Sequence, residues 1–207
     1  MLKERVYQSI KNRIIVQALR PGDRLNEKEL MEEYDIGKTP LREIFFRLQH
    51  DGLIRRFPRS GTIVAPIDFK ELRDAAEIRL ALEGLVARLA ARRMTPAVLA
   101  EMGRLIGILE ENARDGVNED FISAETSLHS LLYDTGGNTR LKNIITEQHS
   151  LFARMWFSIE RTQPDLMGQI ADWKGLYQAL CDGDEDRAEE VNRAHFNTYY
   201  NNLKSLF

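Results

Sequence analysis

The chain has 207 residues, 43% of them apolar, with a formal net charge of −3 and one cysteine. That size and composition support either one large domain or a small and a medium one with a real core, and they exclude a low-complexity polymer. The lone Cys181 excludes an intrachain disulfide, and no apolar run is long enough to span a bilayer or to act as a leader, so a reducing, cytoplasmic setting is expected.

Leu2, Val6, Ile10, Ile14 and Ile15 recur at helical spacing and predict a first helix over about residues 3–18. Pro21-Gly22 signals a turn. Asn26, with Glu29 three residues on, caps a second helix that runs to about Tyr34. A third helix over about Lys38 to His50 turns Leu41, Ile44, Phe45 and Leu48 inward and gathers Lys38, Arg42, Phe46 and Gln49 on another face. Leu53–Phe57 and Thr62–Ala65 read as two short strands around Arg59-Ser60-Gly61. After Pro66 the pattern is helical throughout. Asp68 with Glu71 starts a long helix over about 68–93, and Thr95-Pro96 starts another over about 96–114. Gly116, Gly136-Gly137, Pro164 and Gly183 separate further helices near 118–134, 138–162, 165–181 and 184–205. Cys181 is expected as a small buried residue near a helix end. The predicted fold is mainly α: a winged helix-turn-helix over residues 1–66, then an all-α bundle of about six helices over 67–207.

Charge follows the same division. Residues 1–66 carry 13 Lys/Arg against 9 Asp/Glu, and residues 67–207 carry 16 against 23. A basic head on an acidic body suits a polyanion reader joined to something else. In such a head the third helix enters the DNA major groove. Arg42 can donate two hydrogen bonds to guanine, Lys38 and Thr39 can meet phosphate or base, and Lys28 on the second helix is placed to touch the backbone. Arg55, Arg56 and Arg59 put positive charge in or beside the wing. Phe46 is the odd member of the outward face, since it can meet a thymine methyl or tuck against the wing; packing is the expectation.

These residues resemble the DNA-binding domain of the GntR superfamily of bacterial transcription regulators. The matching positions are Gly22, Leu25, Glu27 and Leu30, then Ile36-Gly37-Lys38-Thr39-Pro40-Leu41-Arg42-Glu43, then Gly52 and Gly61. The resemblance implies operator contacts from Lys28, Lys38, Arg42 and Gly61. Gly37 stands where serine usually caps the helix, and Lys38 where arginine is usual, which replaces a forked contact by a point charge.

In the second module, Glu125 and His129 are four apart on one helix and His195 lies on the last. If they converge, they make a three-ligand site of the zinc type; otherwise they are a surface pair and a core histidine. Residues 68–205 resemble the helical FCD effector-binding domain of the FadR-type subgroup. The signs are Glu77-x-Arg79-x-x-x-Glu83, Glu125-x-x-x-His129, Gly137-Asn138-x-x-Leu141 and Ala179-Leu180-x-x-Gly183-Asp184 leading to His195. Many such domains bind a divalent metal through four side chains, which by position are Glu125, His129, Trp173 and His195. Trp173 cannot ligate, so Glu125, His129 and His195 are the remaining candidates. Arg79 matches an inward arginine suited to an effector carboxylate, or it pairs with Glu83. Trp173 and Tyr199 are candidate apolar walls.

The reading is a ligand-responsive regulator rather than an enzyme. As a homodimer it would bind a palindromic double-stranded operator, by default as a repressor, and sense a small organic acid or related metabolite. The rivals are a metal-dependent enzyme using Glu125, His129 and His195, and a DNA-binding architectural protein with no sensor.

Overall fold

Helix α1, Leu2–Ile15, buries Val6, Tyr7, Ile10 and Ile14 along one side and leaves its polar residues outward. The computed structural model describes residues 2–58, 61–113, 118–158 and 166–204. It separates into two compact units. One comprises residues 1–73 with 149–160, the other residues 74–148 with 161–207.

In the first unit, strand β1 (Arg24–Leu25) leads into α2 (Glu27–Tyr34). The side-chain oxygen of Asn26 accepts from the N–H groups of Lys28 and Glu29, and its amide donates to the Glu29 carboxylate at 2.7 Å, closing the expected cap. Asp35 ends α2 in the left-handed region at φ 48°, and the chain turns at once into α3, Lys38–His50. Gly37 caps α3 without a side chain, so the N–H groups of its first turn face outward unsatisfied by a cap. Leu41, Ile44, Phe45 and Leu48 are buried as the periodicity predicts. Each such side chain contributes roughly 1.5–3 kcal/mol by leaving water.

Strands β2 (Ile54–Phe57) and β3 (Gly61–Val64) are antiparallel, with Ile54 opposite Val64 and Phe57 opposite Gly61. The sheet also takes in β1, which pairs with the other edge of β3 in the order β1-β3-β2. Two residues are too few to carry an alternating pattern, so β1 was invisible to periodicity. Two other expectations are corrected. Phe46 does not pack: it is 69% exposed, because its neighbours one turn away, Arg42, Glu43, Gln49 and His50, are themselves exposed and offer it no apolar cover. Cys181 is exposed at the end of its helix rather than buried.

Residues 149–160 complete this unit through Arg154, which is buried. Its guanidinium donates to the carbonyl of Gly52 at 3.3 Å and to that of Ala65, at the two ends of the wing. Its own carbonyl accepts from the Gln17 side chain at 3.2 Å. Burial pulls its pKa down to about 10, so the charge is still present at neutral pH.

The second unit is built from α4 (Phe69–Ala91), α5 (Pro96–Asn112), α6 (Glu119–Thr135), α7 (Thr139–Ser158), α8 (Leu166–Cys181) and α9 (Glu185–Lys204); the ends of α4 and α7 fall in the first unit. Thr95 caps α5 by accepting from the Val98 N–H, with Pro96 in the first turn, and Asn118 caps α6 by accepting from the Phe121 N–H. Val86, Leu105, Ile106, Leu128, Leu132, Trp173, Leu176 and Leu180 form its core. On α4 the glycine at 84 is required by contact: a Cβ there would lie 2.8 Å from the Glu189 side chain, which pairs with Arg88. Gly116 and Pro164 lie outside the described residues. Among the described residues no helix is long and apolar enough to cross a membrane.

Arg154→Ala removes both carbonyl partners and leaves a void. The expected result is a loss of roughly 2–4 kcal/mol in urea denaturation followed by a probe in the first unit. An unchanged midpoint would contradict the role given to Arg154.

Candidate functional site

Two constellations stand out, one in each unit. The first is the outward face of α3. With Leu41, Ile44, Phe45 and Leu48 fixed inside, the residues left outside are Lys38, Thr39, Arg42, Glu43, Phe46, Arg47, Gln49 and His50. Their charges are not equally available. Arg47 is committed to Glu4 at 2.7 Å and lies over the Tyr7 ring at 3.9 Å, which holds α3 to α1. Glu43 is held by Lys3 at 2.5 Å. Lys28 on α2 has only a loose, exposed partner, Glu32, at 3.7 Å, of the kind that contributes little. Among the described residues Lys38 and Arg42 have no acidic partner within 4.0 Å. The cations nearest the open N-terminus of α3 are therefore the ones left for an outside anion, where the helix dipole adds to the attraction.

On the wing, Arg55, Arg56 and Phe57 are exposed. Gly61 has φ +98°, a conformation that side chains resist, and a Cβ there would meet nothing within 4 Å. It is the backbone conformation and not crowding that calls for glycine at this position. Arg59 lies outside the described residues.

The second constellation lies inside the helical unit. Arg79 and Glu83 are both buried one turn apart on α4, and Arg79 donates to Glu83 through Nε at 2.8 Å and through Nη2. Phe196 lies under the guanidinium at 4.1 Å. Asn192 donates to the Glu83 carbonyl at 2.8 Å and to its carboxylate at 3.0 Å. Tyr133 donates to Glu83 at 3.2 Å and lies 3.2 Å from His129 Nδ1. His129 Nε2 lies 2.8 Å from Glu125. Burial opposes the Glu83 charge, but Arg79 and then His129 hold its pKa below the ordinary value. Glu125 is depressed in the same way, against burial, by His129 first. Burial raises the Tyr133 phenol, and also Tyr199, which stands half-buried nearby.

Arg79 is thus placed in an ion pair with Glu83, the second of its two sequence readings. Glu125 and His129 are brought together, but among the described residues His195 does not join them within 4.8 Å. Two contacts account for this. His195 Nδ1 is engaged by Asp172 at 3.0 Å. Trp173 packs with its ring centroid 4.9 Å from that of His129 and 5.6 Å from that of His195, so bulk stands where a fourth ligand is usual. Glu125 and His129 offer one carboxylate and one imidazole a turn apart on α6, two donors where a zinc-type site takes at least three, and Tyr133 steadies the other ring nitrogen. His195 is not set to close the coordination as it stands. The sequence reading missed Tyr133, Asn192 and Asp172. Tyr133 is four residues from His129 and helical spacing could have found it, whereas Asn192 and Asp172 reach the site only through tertiary packing.

Residues 2–64 match the family described as bacterial regulatory proteins of the gntR family, and residues 74–198 match the FCD domain. An uncharacterized HTH-type transcriptional regulator of Bacillus subtilis, YdhC, is 23% identical over 97% of this chain and 90% of its own length. The HTH-type transcriptional repressor RspR of Escherichia coli is 24% identical over 99% of this chain and 90% of its own. The solved structure of Escherichia coli McbR/YncC superposes with a TM-score of 0.82 at 21% identity, covering 100% of this chain and 99% of that one.

The buried pair on α4 makes a contrast that mutagenesis can read. Arg79→Ala or Glu83→Gln alone strands a buried charge and should cost about 3–5 kcal/mol, whereas replacing both with Met should cost much less. Denaturation midpoints of the three variants measure this. Equal losses in the double and single variants would show that the ion pair is not what those residues supply.

Proposed function

The chain belongs to the gntR family of bacterial regulatory proteins, in the branch that carries an FCD domain, and is a transcriptional regulator; we propose that it acts as a cytoplasmic repressor, binding a palindromic operator as a homodimer and releasing it in response to a small organic acid or related metabolite. The observation that carries the DNA half is the exposed, acid-free end of α3, presented by a winged head. In the proposed complex Arg42 forks onto a guanine, Lys38, Thr39 and Lys28 position the head on phosphates, and Gly61 and Arg59 bring the wing to the backbone. Residues 1–66 form the reading domain and residues 67–207 the sensing and dimerising one. Two heads on a twofold axis meet half-sites about one helical turn apart.

The effector is assigned to the cluster of Glu125, His129, Trp173, His195 and Tyr199. Arg79 serves it through Glu83 and Tyr133, which hold the His129 ring in place. The support is the concentration of buried, mutually bonded polar groups around an aromatic wall, the composition of a ligand site rather than of a plain core. A divalent ion of the zinc type would be held by Glu125 and His129, with His195 as the further candidate, and when bound it would supply positive charge for a carboxylate. An effector regulates only if it binds one arrangement of the dimer better than the other. No nucleophile motif or phosphate-binding loop accompanies these residues, so catalysis is not part of the proposal.

Arg42→Ala should weaken binding to a selected operator by roughly 1–3 kcal/mol, about 5- to 150-fold, with secondary structure and oligomeric state unchanged. Wild-type affinity in that variant would overturn the assignment. Zinc titration followed by calorimetry should show uptake by the wild type and its loss in His129→Ala. No uptake by the wild type would remove the ion from the proposal while leaving the DNA half intact.

A further inference from the structure

Phe46 is not accounted for by the fold or by the contacts assigned so far. It sits near the middle of the outward face of α3 and is 69% exposed. Its chain neighbour Phe45 is fully buried, so the two adjacent aromatics are divided, one to the core and one to the outside. Around Phe46 the helix offers only exposed polar side chains: Arg42 and Glu43 on the turn before, Gln49 and His50 on the turn after. Two of the flanking charges are tied back to α1, Glu43 by Lys3 and Arg47 by Glu4, so neither folds over the ring. A large apolar ring is thus left bare one turn from Arg42, which has no acidic partner within 4.0 Å among the described residues.

We infer that Phe46 is a base-reading residue whose ring meets a thymine methyl group near the base pair taken by Arg42. The inference rests on the proposal that α3 enters the major groove. On an α-helix Phe46 lies about 6 Å along the axis from Arg42 and about 40° around it, so both side chains leave the same side. That offset corresponds to roughly two base-pair steps of about 3.4 Å. The C5-methyl of thymine is the one methyl group that the base edges present in the major groove, and phenylalanine is among the side chains that recognise it. A solvated face gives this ring no compensation for its exposure, whereas a thymine methyl does. Lys38 and Thr39 anchor the helix one turn nearer its N-terminus, so contact by Phe46 would extend the reading frame towards the C-terminal half of α3.

The test uses the full-length protein. A preferred operator is selected from random duplexes, and each thymine is then replaced in turn by uracil, which removes only the methyl group. At one thymine per half-site, uracil should weaken wild-type binding about 3- to 5-fold, the worth of one buried methyl. Phe46→Ala should lose that sensitivity and the preference for thymine there, while keeping the Arg42-dependent guanine. Phe46→Leu, still apolar, should keep part of it. A flat uracil scan in the wild type overturns the inference, as does a Phe46→Ala variant that weakens all sequences alike or loses its dimer. If Arg42→Ala also leaves base selectivity intact, the major-groove reading itself fails; a flat scan with guanine selectivity that still depends on Arg42 removes Phe46 alone.

Discussion

The burial of Leu41, Ile44, Phe45 and Leu48 fixes the rotation of α3, and the proposed DNA-reading surface follows from that rotation. A helix has one azimuth that satisfies its apolar stripe. Once it is set, Lys38, Thr39, Arg42 and Phe46 have no choice but to face out. The same constraint explains how charges are shared. Arg47, further along the helix, reaches back to Glu4 and Tyr7 on α1 and becomes part of the scaffold, while Arg42 and Lys38 are beyond such reach and stay available. The bare glycine cap at position 37 leaves the first backbone donors of α3 to whatever anion approaches.

The helical unit is organised on the opposite plan. It holds a set of polar residues inside that bond to one another: Arg79 to Glu83, Glu83 to Asn192 and Tyr133, and Tyr133 with His129 beside Glu125. Buried charges persist only when paired and hydrogen-bonded, so this chain of contacts is costly to alter in part. A ligand that engages Glu125 or His129 therefore competes with bonds that extend to α4 and α9. Those bonds tie the Glu125–His129 pair to α4 and α9, so in the proposed function a ligand at that pair would bias both helices.

Much of this was legible in the sequence because it rests on local rules. Helical spacing located α1 to α9 to within a few residues, and the Asn26 and Thr95 caps appear where Ser/Thr/Asn chemistry placed them. What escaped needed partners distant in sequence. Strand β1 exists only because β3 offers it an edge. Arg154 gave no sign of being the donor to Gly52 and Ala65, since nothing in a helical pattern marks which arginine will be buried. Phe46 was misplaced because an aromatic is expected to find cover, and the burial of its neighbours could not be judged without coordinates. His195 shared a site with His129 on the basis of resemblance, but Asp172 and Trp173 set where its ring points.

The central claim is that α3 lies in the major groove and reads guanine there. Dimethyl sulfate protection measures this directly, because the reagent methylates guanine N7 on the major-groove edge. With the full-length protein on its selected operator, the account predicts protected guanines in two symmetric clusters about one helical turn apart. Specific binding with every guanine N7 still reactive would contradict it.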